Sequence, residues 1–216
     1  MGIQSIRIQN FKSIRDSGEI QIKPLNVLIG PNGAGKSNFI SFFKFLNRLF
    51  ELQLQLYVTQ NGRAENFLHF GRKGSDFLAG SIIFDNDWNN EYEFKIVADQ
   101  AGNLIFAKEC SNYTQPDSSQ KNISQISNGG NLESVIQSDT GFRNKYLRAQ
   151  FSDFRLFHFH DTSFNSKIKQ PCGSTDYAYL NESGGNLAAF LYYLQQVHPA
   201  NFSLVPDNFT ERSIGV

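Results

Sequence analysis

The sequence predicts an α/β fold, a mixed sheet that carries an antiparallel β-meander, and three observations lead there. Short runs near the start alternate apolar and polar residues, a segment of helical period follows a glycine-rich octet, and three closely spaced apolar runs are separated by turn residues. With 216 residues, 40% hydrophobic and 19% charged, the chain can fill one sizeable core and is neither a disordered tail nor a fibrous repeat.

Ile6 and Ile8 alternate with polar neighbours, and Glu19-Ile20-Gln21-Ile22-Lys23 alternates again before Pro24 ends the run, so both predict half-buried strands. Leu25-Asn26-Val27-Leu28-Ile29 is a short apolar run of the kind that makes a buried strand, and it stops at Gly30. From Lys36 to about Leu56, residues such as Phe39, Phe42, Phe43, Leu46, Leu49 and Phe50 recur at three- and four-residue steps between Lys44, Arg48 and Glu51, which predicts one amphipathic helix. Ser81-Ile82-Ile83-Phe84, the run over 92–97 and Leu104-Ile105-Phe106-Ala107 then read as strands of the meander. Residues 111–131, rich in Ser, Asn, Gln, Asp and Gly, are expected to form a mobile polar loop between an N-terminal lobe over 1–110 and a continuation over 132–216. In that continuation the pattern predicts a helix near 132–137, a strand over 155–159, and a helix over 186–197 opened by Ser183-Gly184-Gly185 and closed by His198-Pro199.

Twenty basic and twenty acidic side chains cancel, so bulk charge does not announce a nucleic-acid binder. The basic excess lies in residues 1–80, with ten Lys and Arg against five Asp and Glu. Cys110 and Cys172 are far apart and form no Cys-x-x-Cys pair, which argues against a disulfide framework or a zinc cluster and for reduced thiols in the cytoplasm. No signal-like core opens the chain, and its most apolar stretch is broken by Lys44, Arg48 and Glu51, so no membrane span is expected.

Gly30-Pro31-Asn32-Gly33-Ala34-Gly35-Lys36-Ser37 fits the pattern of Gly, four residues, then Gly-Lys-Ser/Thr. Its physical requirements are visible in the residues. Glycines let successive backbone N–H groups form an anion-binding concavity, and a helix starting near Lys36 aims its positive end at the same spot. The Lys36 ammonium can reach the β- and γ-phosphates of a nucleotide, and the Ser37 hydroxyl is placed to ligate a magnesium ion. Charge-assisted hydrogen bonds contribute about 1.5–3 kcal/mol each, so a handful suffices for micromolar nucleotide binding.

Asn10-Phe11-Lys12-Ser13-Ile14, the run Pro24-Leu25-Asn26-Val27-Leu28-Ile29, and the octet continuing into Asn38-Phe39-Ile40 together resemble the N-terminal lobe of the RecF/SMC-like ABC-type ATPases. That group includes many predicted bacterial ATPases of anti-phage and DNA-repair systems, placed in the AAA family. The likeness extends through 64–71, 157–163 and 185–191, while the sharp motif stays within the first fifty residues. The resemblance implies ATP with Mg2+, held by Gly30, Asn32, Gly33, Ala34, Gly35, Lys36, Ser37 and Asn38, with Lys36 catalytic and Ser37 on the metal. It places the residues matching Lys12 and Ser13 near the nucleotide, and it implies hydrolysis by a complete homodimer closed on its nucleotides, with DNA or an effector protein as a further partner.

Hydrolysis in this group also needs a signature loop and an apolar strand ending in Asp-Glu. Neither is found, and the chain is expected to stop at Val216 before that half begins. Ser81-Ile82-Ile83-Phe84-Asp85 looks like such a strand, but Asn86 stands where the glutamate belongs and the run falls in the meander. A module that binds ATP without turnover and governs an interaction is therefore the alternative reading. A guanine-specific switch is disfavoured because no Asn-Lys-x-Asp segment occurs.

Lesser constellations read as structural. His158, His160 and Asp161 lack a third ligand of suitable spacing, and Gln150 is one glutamine among several near a helix. Arg143, Lys145, Arg148 and Arg155, interleaved with aromatic residues, read as a solvated helix face before they read as phosphate contacts.

Overall fold

Alternation decides the first strands. In β1 (Ile3–Phe11), Ile6, Ile8 and Phe11 are buried while Gln4 and Arg7 stay exposed. A tight turn, with Asn10 and Lys12 at positive φ, returns the chain as β2 (Ile14–Gln21). The order of the sheet is β2-β1-β3-β4-β5-β6, completed by β3 (Leu78–Phe84), β4 (Glu91–Ala98), β5 (Leu104–Thr114) and β6 (Lys121–Ser127). Every pairing is antiparallel. The computed structural model describes residues 2–116, 118, 120–138, 141–152, 157, 165–181, 183–203 and 205. They fall in two compact units, 1–154 and 155–216.

The apolar face of the sheet is covered by α1 (Lys36–Phe50), which buries Phe42, Phe45, Leu46, Leu49 and Phe50. Phe42 and Phe45 meet Phe11 edge-on at 5.1 and 5.6 Å, and Phe42 stacks on Phe94 at 6.3 Å. Gly80 in β3 makes this approach possible, since a Cβ there would stand 2.7 Å from the Phe94 ring and 2.8 Å from Phe42. After a break at 51–53, with Leu52 in the left-handed region, the chain continues as α2 (Leu54–Gln60). The Glu133 carboxylate accepts from the backbone N–H groups of Leu54 and Gln55 at 3.0 and 2.9 Å and caps that helix. A single turn, α3 (Gly71–Gly74), precedes β3, and α4 (Phe142–Ser152) adds Leu147 and Phe151 to the core.

In the second unit, α5 (Leu187–Val197) is followed by α6 (Pro199–Phe202). Asn186 is fully buried; it accepts from the N–H of Asn181 and donates to the carbonyls of Tyr179 and Asp176, which ties the preceding loop to the start of α5.

The α/β class, the meander and the helix near 186–197 match the sequence expectation. Five details differ. Residues 25–29 form no strand, and Leu25, Val27 and Ile29 are 82%, 71% and 90% exposed, because no described strand runs beside them to accept their backbone bonds. Without that pairing the sheet of described residues is antiparallel throughout rather than mixed. Residues 111–131 carry the end of β5 and the whole of β6, an edge strand whose polar side chains suit the solvated face of a sheet. The helix expected near 132–137 is a turn segment, its backbone drawn to Glu109, and the long helix over 36–56 is two helices. The strand expected over 155–159 lies outside the described residues, apart from Phe157, which is in no regular element.

Candidate functional site

The octet over 30–37 is the entry to α1, and its geometry follows from its glycines. Gly33 has φ 85° and Gly35 φ 89°, left-handed values that cost a side-chain-bearing residue about 1 kcal/mol or more. Gly35 is the N-cap residue of α1, no side chain caps that end, and no acid occupies the first turn. The N–H groups of this turn are thus left without side-chain partners where the helix dipole is most positive. Gly30, Asn32, Gly33, Ala34 and Ser37 are exposed, and Ala34 N–H donates to Pro31 O at 3.2 Å. An exposed ring of amides at an uncapped helix start is suited to an anion with several oxygens, such as a polyphosphate.

Lys36 is folded back on this loop, its Nζ donating to Gly30 O at 2.6 Å and Pro31 O at 2.7 Å. Two neutral carbonyls hold the ammonium at the mouth of the concavity, where a phosphate would compete with charge-assisted bonds roughly twice as strong. The exposed Ser37 hydroxyl, one residue on, is available to a cation. The chemistry of these donors fits a nucleoside triphosphate with magnesium.

Asn38 is differently engaged. Its Nδ2 donates to Ser13 Oγ at 2.7 Å, so the β1–β2 turn reaches the first turn of α1. The neighbouring Lys12 points elsewhere: its Nζ lies 5.5 Å from the Phe11 ring centre and 5.7 Å from that of Phe67, and burial, followed by the nearby Lys44, pushes its pKa down. The structure therefore brings Ser13 to the loop and places the Lys12 amine on aromatic rings. Spacing along the chain does not reveal the Ser13 to Asn38 pairing, although both residues sit in segments that carry the family resemblance.

Other expected features fall away from the loop. Ser81 to Phe84 belong to β3, a central strand of the meander, and Asp85 follows in the turn to β4. Gln150 is partly buried in the last turns of α4. Arg148 Nη1 donates to Ile136 O at 2.9 Å, Lys145 is exposed, and Arg143 and Arg155 have no described side chain. His158, His160 and Asp161 lie outside the described residues. On the open face of the sheet a depression of about 510 Å³ is lined by Arg7, Ser81, Glu91, Glu93 and Lys121 among others. Lys121 Nζ lies 2.5 Å from Glu91 there, and mated charges of this kind suit a solvated sheet face.

A family model described as AAA ATPase domain matches residues 1–181. Over 92 residues, 40% of this chain, the sequence is 37% identical to Urease accessory protein 2 of Cryptococcus neoformans var. grubii and 39% identical to the chromosome segregation protein sudA of Emericella nidulans. This chain spans 7% of the length of each of those relatives. Among solved structures, one described as the structural biochemistry of ATP-driven dimerization and DNA stimulated activation of SMC ATPases is similar at TM-score 0.37 and 18% identity, over 59% of this chain and 74% of that one.

Proposed function

The chain belongs to the AAA ATPase domain family, whose model covers residues 1–181, and from that premise we propose that it binds ATP with Mg2+ at the loop over residues 30–37. The observation that carries the reading is the uncapped, glycine-formed start of α1 with the Lys36 ammonium parked on the loop's own carbonyls. On binding, the amides of Gly33 and of Gly35 to Ser37 face the phosphate oxygens and Lys36 exchanges Gly30 O and Pro31 O for the β- and γ-phosphates. The Ser37 hydroxyl holds the magnesium ion, which neutralises charge on the phosphate tail when bound.

Turnover takes place in a homodimer that closes on its nucleotides, and the 216-residue chain alone hydrolyses ATP slowly or not at all. A relative named for chromosome segregation supports a process that involves DNA, such as repair or anti-phage defence. The free thiols of Cys110 and Cys172 support a reducing, cytoplasmic setting. Among the described residues, no helix is long and apolar enough to cross a membrane.

Calorimetry with magnesium and a non-hydrolysable ATP analogue tests the assignment. Lys36→Ala is expected to abolish the binding heat without changing the fold, and an unchanged affinity refutes it. Phosphate release from the pure chain at an ordinary enzyme rate, lost on Lys36→Ala, would show that this chain already holds its catalytic carboxylate.

A further inference from the structure

We infer that Ser13 and Asn38 form a brace behind the phosphate loop that sets the direction of the Gly35 and Lys36 amides, which makes Ser13 a positioning residue for the triphosphate tail. The inference rests on the nucleotide reading above and deepens it. Asn38 Nδ2 donates to Ser13 Oγ across 2.7 Å, joining the first turn of α1 to the β1–β2 turn. A Cβ at Gly35 would stand 3.2 Å from that same oxygen, so the Ser13 hydroxyl fills the space behind the residue that starts the helix. The β1–β2 turn is itself tied down. Lys12 N–H donates to Phe67 O at 2.8 Å, His69 N–H to Asn10 O at 3.0 Å, and His69 Nδ1 is 2.7 Å from Lys12 O.

The brace matters because of what Lys36 must do. In the free protein its ammonium tethers the loop through Gly30 O and Pro31 O. A phosphate that takes the ammonium removes that tether at the moment when the amides must hold their direction. The Ser13 to Asn38 bond involves neither Lys36 nor those carbonyls, so it persists through the exchange. Amides fixed before the ligand arrives need no ordering on binding, and this raises affinity.

Calorimetry on the 216-residue chain, with magnesium and a non-hydrolysable ATP analogue, tests the brace. Ser13→Ala and Asn38→Ala are each expected to weaken binding about fivefold, the cost of ordering amides that the brace no longer fixes in advance, and to lower the melting temperature by about 2–4 °C for the hydrogen bond lost from the fold. The double variant is expected to bind no more weakly than either single one, and Ser13→Thr, which keeps the hydroxyl, to bind like the parent. Additive losses, a Ser13→Thr variant as weak as Ser13→Ala, or parental affinity in both alanine variants while Lys36→Ala abolishes binding would overturn the brace and leave the phosphate loop standing. Undiminished binding by Lys36→Ala, or none by the parent chain, would instead sink the nucleotide reading on which the brace rests.

Discussion

The Tyr92 hydroxyl donates to Glu109 Oε1 across 2.5 Å in a pair from which solvent is excluded. Ser134 Oγ donates to the same oxygen, and Val135 N–H to Oε2 at 3.0 Å, so one carboxyl in β5 holds both a strand neighbour and the segment that follows β6. Removing it strands two buried hydroxyls and a half-buried N–H. Each unsatisfied group costs about 1–3 kcal/mol, so Glu109→Ala should lower stability by roughly 3 kcal/mol or more in urea titration, while Glu109→Gln, which keeps an acceptor oxygen, should lose less than half of that. Equal losses for the two would show that shape, rather than hydrogen bonding, decides the site.

The same pair gives a pH dependence. Burial, and after it the neighbouring Glu109, hold the Tyr92 hydroxyl well above its ordinary value of 10.0. The folded chain therefore keeps a proton that the unfolded chain releases near pH 10. The stabilisation is fully present below that pH and is lost as pH rises toward the folded value, at about 1.4 kcal/mol per pH unit. Urea titrations of the parent and of Tyr92→Phe should accordingly converge above pH 10. Parallel curves there would mean that Tyr92 ionises alike in both states.

Much of this architecture is legible in the sequence, and the part that is not has a physical cause. The glycines, Lys36 and the helical period after them define the loop locally, since each acts through its own backbone or its nearest turn. The strands of the meander show because alternation marks one buried face, as in β3, where Leu78, Gly80, Ile82 and Phe84 point inward. The polar run over 121–127 hides β6 because a strand at the edge, with weakly patterned burial, looks like a loop in composition. The Glu109 cluster and the Ser13 to Asn38 bond are contacts between distant residues, which spacing along the chain does not encode.

The run over 25–29 gives a contrary test of hydrophobicity. Val27 and Ile29 are the residues that composition would bury, yet they face solvent, whereas Leu46 in α1 is fully enclosed. Val27→Ser and Ile29→Ser should leave the stability of this chain within about 0.5 kcal/mol of the parent, while Leu46→Ala should cost about 2–5 kcal/mol in the same denaturant titration. A large loss at Ile29 would place the run against a surface of this same chain.

Gly80 tests the packing that holds α1, and with it the loop, over the sheet. A methyl group there meets the rings of Phe94 and Phe42 at 2.7 and 2.8 Å. Neither ring can yield without moving others, because Phe42 also packs on Phe11 and Phe45. Gly80→Ala should cost about 2–3 kcal/mol by thermal or chemical unfolding and should weaken nucleotide binding by displacing the start of α1. Full stability in that variant would show that the helix shifts without cost.

Gly33 and Gly35 separate backbone strain from contact. Both are left-handed, with φ 85° and 89°, but a Cβ at Gly33 meets nothing within 4 Å, whereas one at Gly35 comes to 3.2 Å from Ser13 Oγ. The strain of a left-handed alanine, about 1–2 kcal/mol, is thus common to Gly33→Ala and Gly35→Ala. The contact falls on Gly35→Ala alone. By thermal melting Gly35→Ala should be the less stable variant, and a Ser13→Gly background should bring the two together, since it removes the oxygen and leaves both φ angles as they were. If the gap persists without Ser13, the extra cost arises within the helix start itself, where Gly35 O accepts the N–H of Phe39, and not from the hydroxyl behind it.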